Sequence, residues 1–420
     1  MANNNQLLSI QEALDKIKNT IQPLHETELV NTNSCLRRIL SEDVFSPIPL
    51  PPFKSSAMDG FALKQSDWSN NINKEFSILG RSLAGHPFQG VVEENSCVRI
   101  FTGAKVPEEF DLIILQEQID HLDESKVSFQ DHEPQETYVR PIGHDIDKDT
   151  QVAAKGQRID PILLSRLSAS GIHEIRVFKK LSVGVFSSGD ELVSANTAQH
   201  NLQEGQIFES NRPFLLNNLE NFEISIIDYG NIPDSKAITI ERLTKASKTC
   251  DLIITSGGVS VGEADFITET IAELGTLDFW RLNLKPGKPL AFGRINGCSI
   301  LGLPGNPVST IITALLIANP LIEHMSGASP KIPLRLKATC QQMLSHSTGR
   351  TEYQRAKYVN QEDGSLIVKQ PGDQSSNRLS SFVETNCLVE IPGSKGDILA
   401  GEQVTIIPLS KLGLVEQNIN

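Results

Sequence analysis

The sequence predicts a multidomain α/β plus β protein. It comprises a central three-layer α/β domain with a mostly parallel sheet, an inserted small β domain, a discontinuous helical platform and a C-terminal β-barrel-like domain. Three observations predict this. From residue 175 to 325, strand-like and helix-like segments alternate, the pattern of a parallel sheet with helices on both faces. Residues 62–140 and 334–409 carry short β-like runs separated by turns. The first of these β blocks lies between two helical segments, which makes it an insertion into a platform that the chain leaves and re-enters.

The chain has 420 residues, 39% hydrophobic and 21% charged, an ordinary globular composition that supports a sizeable core. That length corresponds to roughly two to four domains. The net charge is −13 and the pI about 5.2, which argues against general nucleic-acid binding and against an anionic membrane surface. An acidic chain that binds an anion must do so locally, with a few Lys, Arg and N–H groups or through a metal ion. The six cysteines are scattered, with no C-x-x-C and no Cys/His cluster, so no zinc site is expected. The N-terminus lacks a basic n-region with an apolar run. No stretch approaches about 18 consecutive apolar residues. A cytoplasmic protein without a membrane span is expected.

Residues 9–21 form a helix with a capping-box pair, Ser9 and Glu12, and an apolar face of Ile10, Ala13, Leu14, Ile17 and Ile21. A short helix or turn follows at 34–40. S-P-I-P-L-P-P-F (46–53) is too proline-rich for helix or central strand and reads as a stiff passage into the insertion. It delivers S-S-A-M-D-G-F-A, in which Asp59-Gly60 reads first as a turn. Strand-like runs then fall at 76–79, 96–101, 112–117, 126–129 and 137–140, with F-T-G-A (101–104) as a loop. Residues 156–171 form a helix with Asp160 at the N-cap, Pro161 in the first turn and Gly171 at the stop. This helix and the first are expected to pack together.

In the α/β part, strands are expected at 181–186, 224–230 and 251–255, helices at 211–219, 235–247 and 264–274, a hairpin at 289–293 and 298–302, and a long apolar helix at 307–325. The last block carries β-like runs at 334–339, 365–369, 387–391 and 403–409. The expected domains are 7–46 with 147–179, 47–146, 180–329 and 330–413.

Chemistry concentrates between 254 and 309. Two glycine-rich turns, S-G-G-V-S-V-G-E-A-D (256–265) and G-L-P-G-N-P-V-S (302–309), bracket K-P-G-K-P (285–289). Strand-to-helix turns of small residues present backbone N–H groups to an anion, and together they point to a phosphate-bearing ligand. Taken one at a time, each is also simply a tight turn. Glu191, Asp234 and Asp265 lie at three separate strand ends and suit Mg²⁺ beside phosphates; each also suits a helix N-terminus without binding anything. Lys285 and Lys288 across a Pro-Gly turn make either an oxyanion seat or a solvated basic turn. No nucleophilic triad, Walker A or dinucleotide fingerprint is present. The residues by themselves reach metal-assisted phosphoryl or nucleotidyl chemistry on a small phosphorylated molecule.

S-S-A-M-D-G-F-A, F-T-G-A, S-S-G-D-E-L, S-G-G-V-S-V-G-E-A-D, K-P-G-K-P-L-A-F-G and G-L-P-G-N-P-V-S resemble, in order, the motifs of the molybdopterin molybdenumtransferases, the MoeA family, which includes the E domain of gephyrin. The resemblance runs from about residue 7 to 410. It implies a four-domain subunit, a homodimer, and insertion of molybdenum from molybdate into adenylylated molybdopterin, with Mg²⁺ assisting and AMP released. Carried over by motif, Asp59, Thr102, Asp145, Glu191, Asp234, Asp265, Lys285 and Lys288 are implied as catalytic positions, with Asp234 and Asp265 as the Mg²⁺ ligands. Ser187, Gly189, Ser256, Gly257, Gly258, Ser260, Gly262, Arg281, Pro289, Pro304, Gly305, Asn306, Pro307, Ser309, Arg350 and Ser376 are implied as substrate-binding. Lys285, Lys288 and Ser309 would line the molybdate site, joined by Arg350 and Ser376 from the last domain. Asp59 and Thr102 would reach the partner subunit's cleft. A molybdopterin adenylyltransferase and apo-molybdoenzymes are implied as transient partners.

The chain departs from the pattern at Arg281, where Lys is common, at Ser375 and Asn377, where glycines are usual, and at His144. Two other readings are adenylyl transfer to molybdopterin, which needs only a single α/β domain, and a scaffold that has lost activity. Retention of the acidic set and both lysines argues against the scaffold.

Overall fold

A computed structural model describes residues 7–196, 202–259, 266–410 and 413–418. Its central unit is a six-stranded sheet in the order Ser225–Ile232, Ser182–Ser188, Leu252–Ser256, Cys298–Leu303, Ala291–Ile295, Gly275–Trp280. The first four strands run parallel; Ala291–Ile295 turns back antiparallel on Cys298–Leu303 as the expected hairpin, and Gly275–Trp280 pairs antiparallel with Ala291–Ile295 at the edge. Leu252–Ser256 and Cys298–Leu303 are buried at every position, as strands covered on both faces must be. On one face Val183, Val185, Ile254 and Leu301 pack against Leu215, Leu219, Val308 and Ile312 of the covering helices. On the other face Phe186, Ile253 and Ile300 meet Leu243, Ile267 and Ile271.

The long apolar segment Pro307–Met325 satisfies length and mean hydropathy for a membrane span, but most of it is buried as core of this unit. It is α-helical at Pro307–Thr313 and Asn319–Met325, with a π turn at Ala314–Ala318 between them. Pro320 lacks the N–H that the regular ladder requires, and the wider turn lies just before it.

The first helix, Ile10–Thr20, is capped as expected: Ser9 N donates to Glu12 Oε2 at 2.8 Å, and Glu12 N donates to Ser9 Oγ at 3.2 Å. It does not pack on the helix Pro161–Ala169. Its Ala13, Ile17 and Ile21 join the central core beside Leu321, Ile322 and Met325, whereas Leu163 and Leu167 pack with Val152, Ile175 and Val177. An apolar stripe specifies that a helix is buried, not against what. The two chain segments expected to form the platform do meet, through ladders: Thr27–Asn31 pairs with Glu174–Phe178, and Val44–Phe45 with Gln151–Ala153.

The inserted unit is a six-stranded sheet in the order Leu112–Leu115, Gly60–Leu63, Ser96–Ile100, Glu75–Ser82, Lys126–Phe129, Ile119–Leu122. Gly60–Leu63 was not expected as a strand, yet it is an inner one and buried throughout. Asp59 therefore stands at a strand entrance.

The C-terminal strands Thr351–Asn360, Leu366–Lys369, Leu336–Cys340, Gln403–Ser410 and Cys387–Ile391 pair in that order, and the last pairs back with the first to close a five-stranded barrel. Two residues of the central unit, Leu284–Lys285, add to the start of Thr351–Asn360 as a parallel strand.

Candidate active site

The carboxyl ends of three of the four parallel strands face the barrel across a cavity of about 830 Å³. Its central-unit wall is made by three turns. At the end of Ser182–Ser188, Ser188 and Glu191 line the cavity, while Ser187 is buried beneath with its hydroxyl unpaired. Asn231 Nδ2 donates to Gly189 O at 2.8 Å and ties this turn to the neighbouring strand. Asp234 N donates to Asp190 Oδ1 at 3.1 Å, and Asp190 N to Asp234 Oδ2 at 3.5 Å, so two carboxylates from adjacent turns lie side by side.

At the end of Leu252–Ser256 the backbone turns through Gly257 (φ +90°) and Gly258 (φ +68°). A Cβ on Gly257 would lie 2.6 Å from Ser188 O, and one on Gly258 2.6 Å from Ile267 Cγ1. Only glycine fits there. Ser256 lines the cavity floor. Ser260, Gly262 and Asp265 lie outside the described residues.

At the end of Cys298–Leu303, Pro304, Gly305, Asn306, Pro307 and Ser309 all line the cavity. Asn211, the first residue of the helix Asn211–Leu219, donates through Nδ2 to Ser256 Oγ (2.8 Å) and to Gly305 O (2.7 Å), clipping the two glycine turns together.

The lysine turn forms the junction with the barrel. Lys285, Pro286, Gly287, Lys288 and Pro289 line the cavity with Arg350 and Glu352. Lys285 Nζ is 3.1 Å from Glu352 Oε1, and Arg350 NH1 donates to Leu284 O at 3.4 Å. Lys288 is exposed, and no carboxylate lies within ion-pair distance of it among the described residues. Arg281 does not line the cavity; its guanidinium stacks 4.0 Å above the Trp280 ring, which disperses its charge over an aromatic face.

The outer wall is the barrel loop with Gln374, Ser375, Ser376 and Asn377. Val308 N donates to Ser376 O at 3.0 Å, so loop and helix hold each other. Asp373 organises the loop. Its Oδ1 accepts from Ser375 N at 2.7 Å and from Ser375 Oγ, and Arg378 NH1 reaches Oδ2 at 3.0 Å. The Ser375 hydroxyl and N–H, then Arg378, hold the Asp373 carboxyl down at about 2. Buried Arg355 donates to Asp373 O and Ser375 O from below.

Asp59, Thr102 and Asp145 lie away from this cavity, and Ser187, Gly189, Asp234, Gly257 and Gly258, like Arg281, do not line it directly. Asp59 Oδ1 accepts from Thr102 N and Thr102 Oγ1, both at 2.8 Å, within the inserted unit. These bonds, the backbone one foremost, hold the Asp59 carboxyl below its usual value, with Arg99 adding to the effect. Asp145 is exposed, its N–H bonded to Leu50 O at 2.9 Å. The six cysteines are buried, and burial pushes Cys97, Cys298 and Cys387 up to about 12, which leaves those three inert as nucleophiles. Among the described residues no three His, Cys, Asp or Glu side chains converge as a metal cluster.

An α/β sheet with glycine turns at its carboxyl ends, closed by a barrel that adds cations, defines a protein that binds a polyanionic small molecule at the strand ends. The comparisons narrow this class. Residues 8–171 match the MoeA N-terminal region (domain I and II), 184–324 a probable molybdopterin binding domain, and 337–409 the MoeA C-terminal region (domain IV). A molybdopterin molybdenumtransferase of Haemophilus influenzae is 38% identical over 97% of this chain and 100% of its own length. Gephyrin of Dictyostelium discoideum is 31% identical over 95% of this chain and 61% of its own length. The crystal structure of the molybdopterin biosynthesis moeA protein from Pyrococcus horikoshii OT3 superposes with a TM-score of 0.80 at 26% identity, covering 96% of this chain and 99% of that one. The chain belongs to the MoeA family of molybdopterin molybdenumtransferases.

Proposed function

We propose that the chain inserts molybdenum from molybdate into adenylylated molybdopterin and releases AMP and the active molybdenum cofactor. The observation that carries this reading is the two-sided cavity: Ser188, Ser256 and Pro304–Asn306, at the strand-end turns, on one wall, and Lys285, Lys288 and Arg350 grouped on the other. The pterin's phosphates lie over the glycine turns, where backbone N–H groups and small side chains permit close approach. Molybdate, a tetrahedral dianion, takes the lysine turn with Ser309, Arg350 and Ser376. The two substrates are thereby held side by side, which converts a bimolecular encounter into a local one.

The donor set fits Mg²⁺. Asp190 and Asp234 offer hard carboxylate oxygens from adjacent turns, one oxygen of each being held by the other's N–H. A cation that keeps few protein ligands and completes its shell with phosphate oxygens suits such a pair. When bound there, with Asp265 as a further ligand, Mg²⁺ would neutralise phosphate charge as the anhydride bond to AMP breaks. Glu191, next to Asp190 in the chain, lines the cavity and is placed to orient the substrate.

Four domains are proposed, at 7–46 with 147–179, 47–146, 180–329 and 330–413. The working unit is a cytoplasmic homodimer in which Asp59, Thr102 and Asp145 of one subunit complete the partner's cleft. An adenylyltransferase supplies the substrate, and apo-molybdoenzymes take the product.

The test is AMP release by the purified protein from adenylylated molybdopterin, with molybdate and Mg²⁺ present. Release is expected to require both ions, to stop with chelator and to resume with added Mg²⁺. Asp234→Asn is expected to raise the Mg²⁺ needed for half-activation by roughly tenfold or more. A folded protein that releases no AMP and forms no cofactor overturns the reading.

A further inference from the structure

We infer that Glu352 is a positioning residue: from the barrel, it aims the Lys285 ammonium into the oxyanion seat. The inference rests on the proposed function and concerns how its lysine turn is held.

Leu284–Lys285 and Thr351–Glu352 are parallel partners, with Lys285 directly opposite Glu352. Side chains opposite one another in a ladder share a face, so both point to the cavity that both line. The two groups differ in solvation. The Lys285 side chain is 44% exposed, whereas Glu352 is 4% exposed. A lysine has a long, flexible stem and loses much rotamer freedom when fixed. A buried carboxylate 3.1 Å away supplies the fixing partner.

Behind Glu352 lies an enclosed histidine. His346, fully enclosed, presents Nε2 to Glu352 Oε2 at 3.8 Å. The His346 ring is clamped between Lys395 O (2.9 Å from Nδ1) and Arg350 O (3.1 Å from Nε2), and the His346 backbone N–H donates to Asp397 Oδ1 at 2.7 Å. Glu352 Oε2 accepts no hydrogen bond although it is buried. A carboxylate left half-satisfied in a rigid strand is not a stability device, because a hydrocarbon there would leave nothing unpaired. Its remaining service is to Lys285. Lys288, three residues on, lacks such a partner among the described residues. The turn thus divides its work: Lys288 supplies uncompensated charge, and Lys285 supplies a donor of fixed direction.

This predicts opposite effects on binding and turnover. Glu352→Gln removes a negative charge that faces the seat, so the KM for molybdate is expected to stay or fall. It also releases Lys285, so kcat is expected to fall about tenfold to a hundredfold. Glu352→Asp keeps the charge and is expected to recover part of the lost kcat. In a Lys285→Met background, Glu352→Gln is expected to have no further effect on kcat. In the unmodified protein, acylation by a small amine-reactive reagent, read by peptide mass spectrometry, is expected to be severalfold slower at Lys285 than at Lys288. Equal acylation rates, equal losses from Glu352→Gln with and without Lys285, or a matched rise in KM with no change in kcat would overturn the inference. An unmodified protein with no molybdate-dependent turnover would overturn the proposed function instead.

Discussion

Gly257 and Gly305 belong to neighbouring turns at the cavity, and they have different reasons to be there. Gly257 holds φ +90° with a carbonyl 2.6 Å from where a Cβ would be, whereas the nearest atom to a Cβ on Gly305 is Gly257 Cα at 3.7 Å. Gly257→Ala is expected to cost about 1–3 kcal/mol from the backbone alone, with the clash against Ser188 O added, and to abolish turnover. Gly305→Ala is expected to leave stability within about 0.5 kcal/mol and to act on pterin affinity alone. Urea unfolding and substrate titration of the two variants separate these outcomes; equal stability losses would show that the turn relaxes around a methyl group. The same distinction marks what a sequence can disclose. S-G-G and L-P-G-N-P were readable as ligand turns because their signal is local. Glu352 and Asn211 were not, because each acts on a residue far along the chain: Lys285 for one, Ser256 and Gly305 for the other.

The elements that local pattern missed are those whose burial is polar. Thr351–Asn360 is the longest strand of the barrel, yet its buried run includes Glu352, Gln354 and Arg355, whose partners are the strand residue Lys285 for the first and loop residues for the other two. Alternation of apolar and polar residues does not reveal such a strand. By contrast, the helix Pro161–Ala169 was legible because its cap is its own neighbour: Asp160 Oδ1 accepts from Leu163 N at 2.7 Å. The loop above Arg355 offers a test at this scale. The Asp373 carboxyl is held at about 2 against an ordinary value of 3.8. Its folded value is depressed, so what it contributes to loop order is fully present above pH 3.8 and is lost as pH falls through about 2. A carboxyl-carbon NMR titration of Asp373 is expected to show a midpoint near 2; an ordinary midpoint would mean that the Asp373–Ser375 turn does not form in solution.

For the whole molecule, the open question is where Asp59 and Thr102 act, since both lie in the inserted unit and neither lines the cavity of its own chain. In the proposed dimer each cleft takes Asp59 from one subunit and Lys288 from the other. Asp59→Asn and Lys288→Ala proteins, each inactive alone, are then expected to regain activity when unfolded and refolded as a mixture. Random pairing puts one intact cleft in each mixed dimer, or about a quarter of the unmodified activity. No recovery despite mixed dimers would place Asp59 in its own subunit's chemistry.

The two-residue strand Leu284–Lys285 has a consequence for the barrel as a module. Along the edge where it docks, Leu366–Lys369 covers only residues 357–360 of the long strand, and Leu284–Lys285 covers 351–352. Cut away from the central unit, the barrel would bare a short row of unpaired N–H and C=O groups, the kind of edge that recruits strands from other chains. Grafted alone into another protein, it is therefore a candidate for self-association. Its portability depends on carrying the lysine turn along, so that binding chemistry and protection from aggregation travel as a single inherited piece.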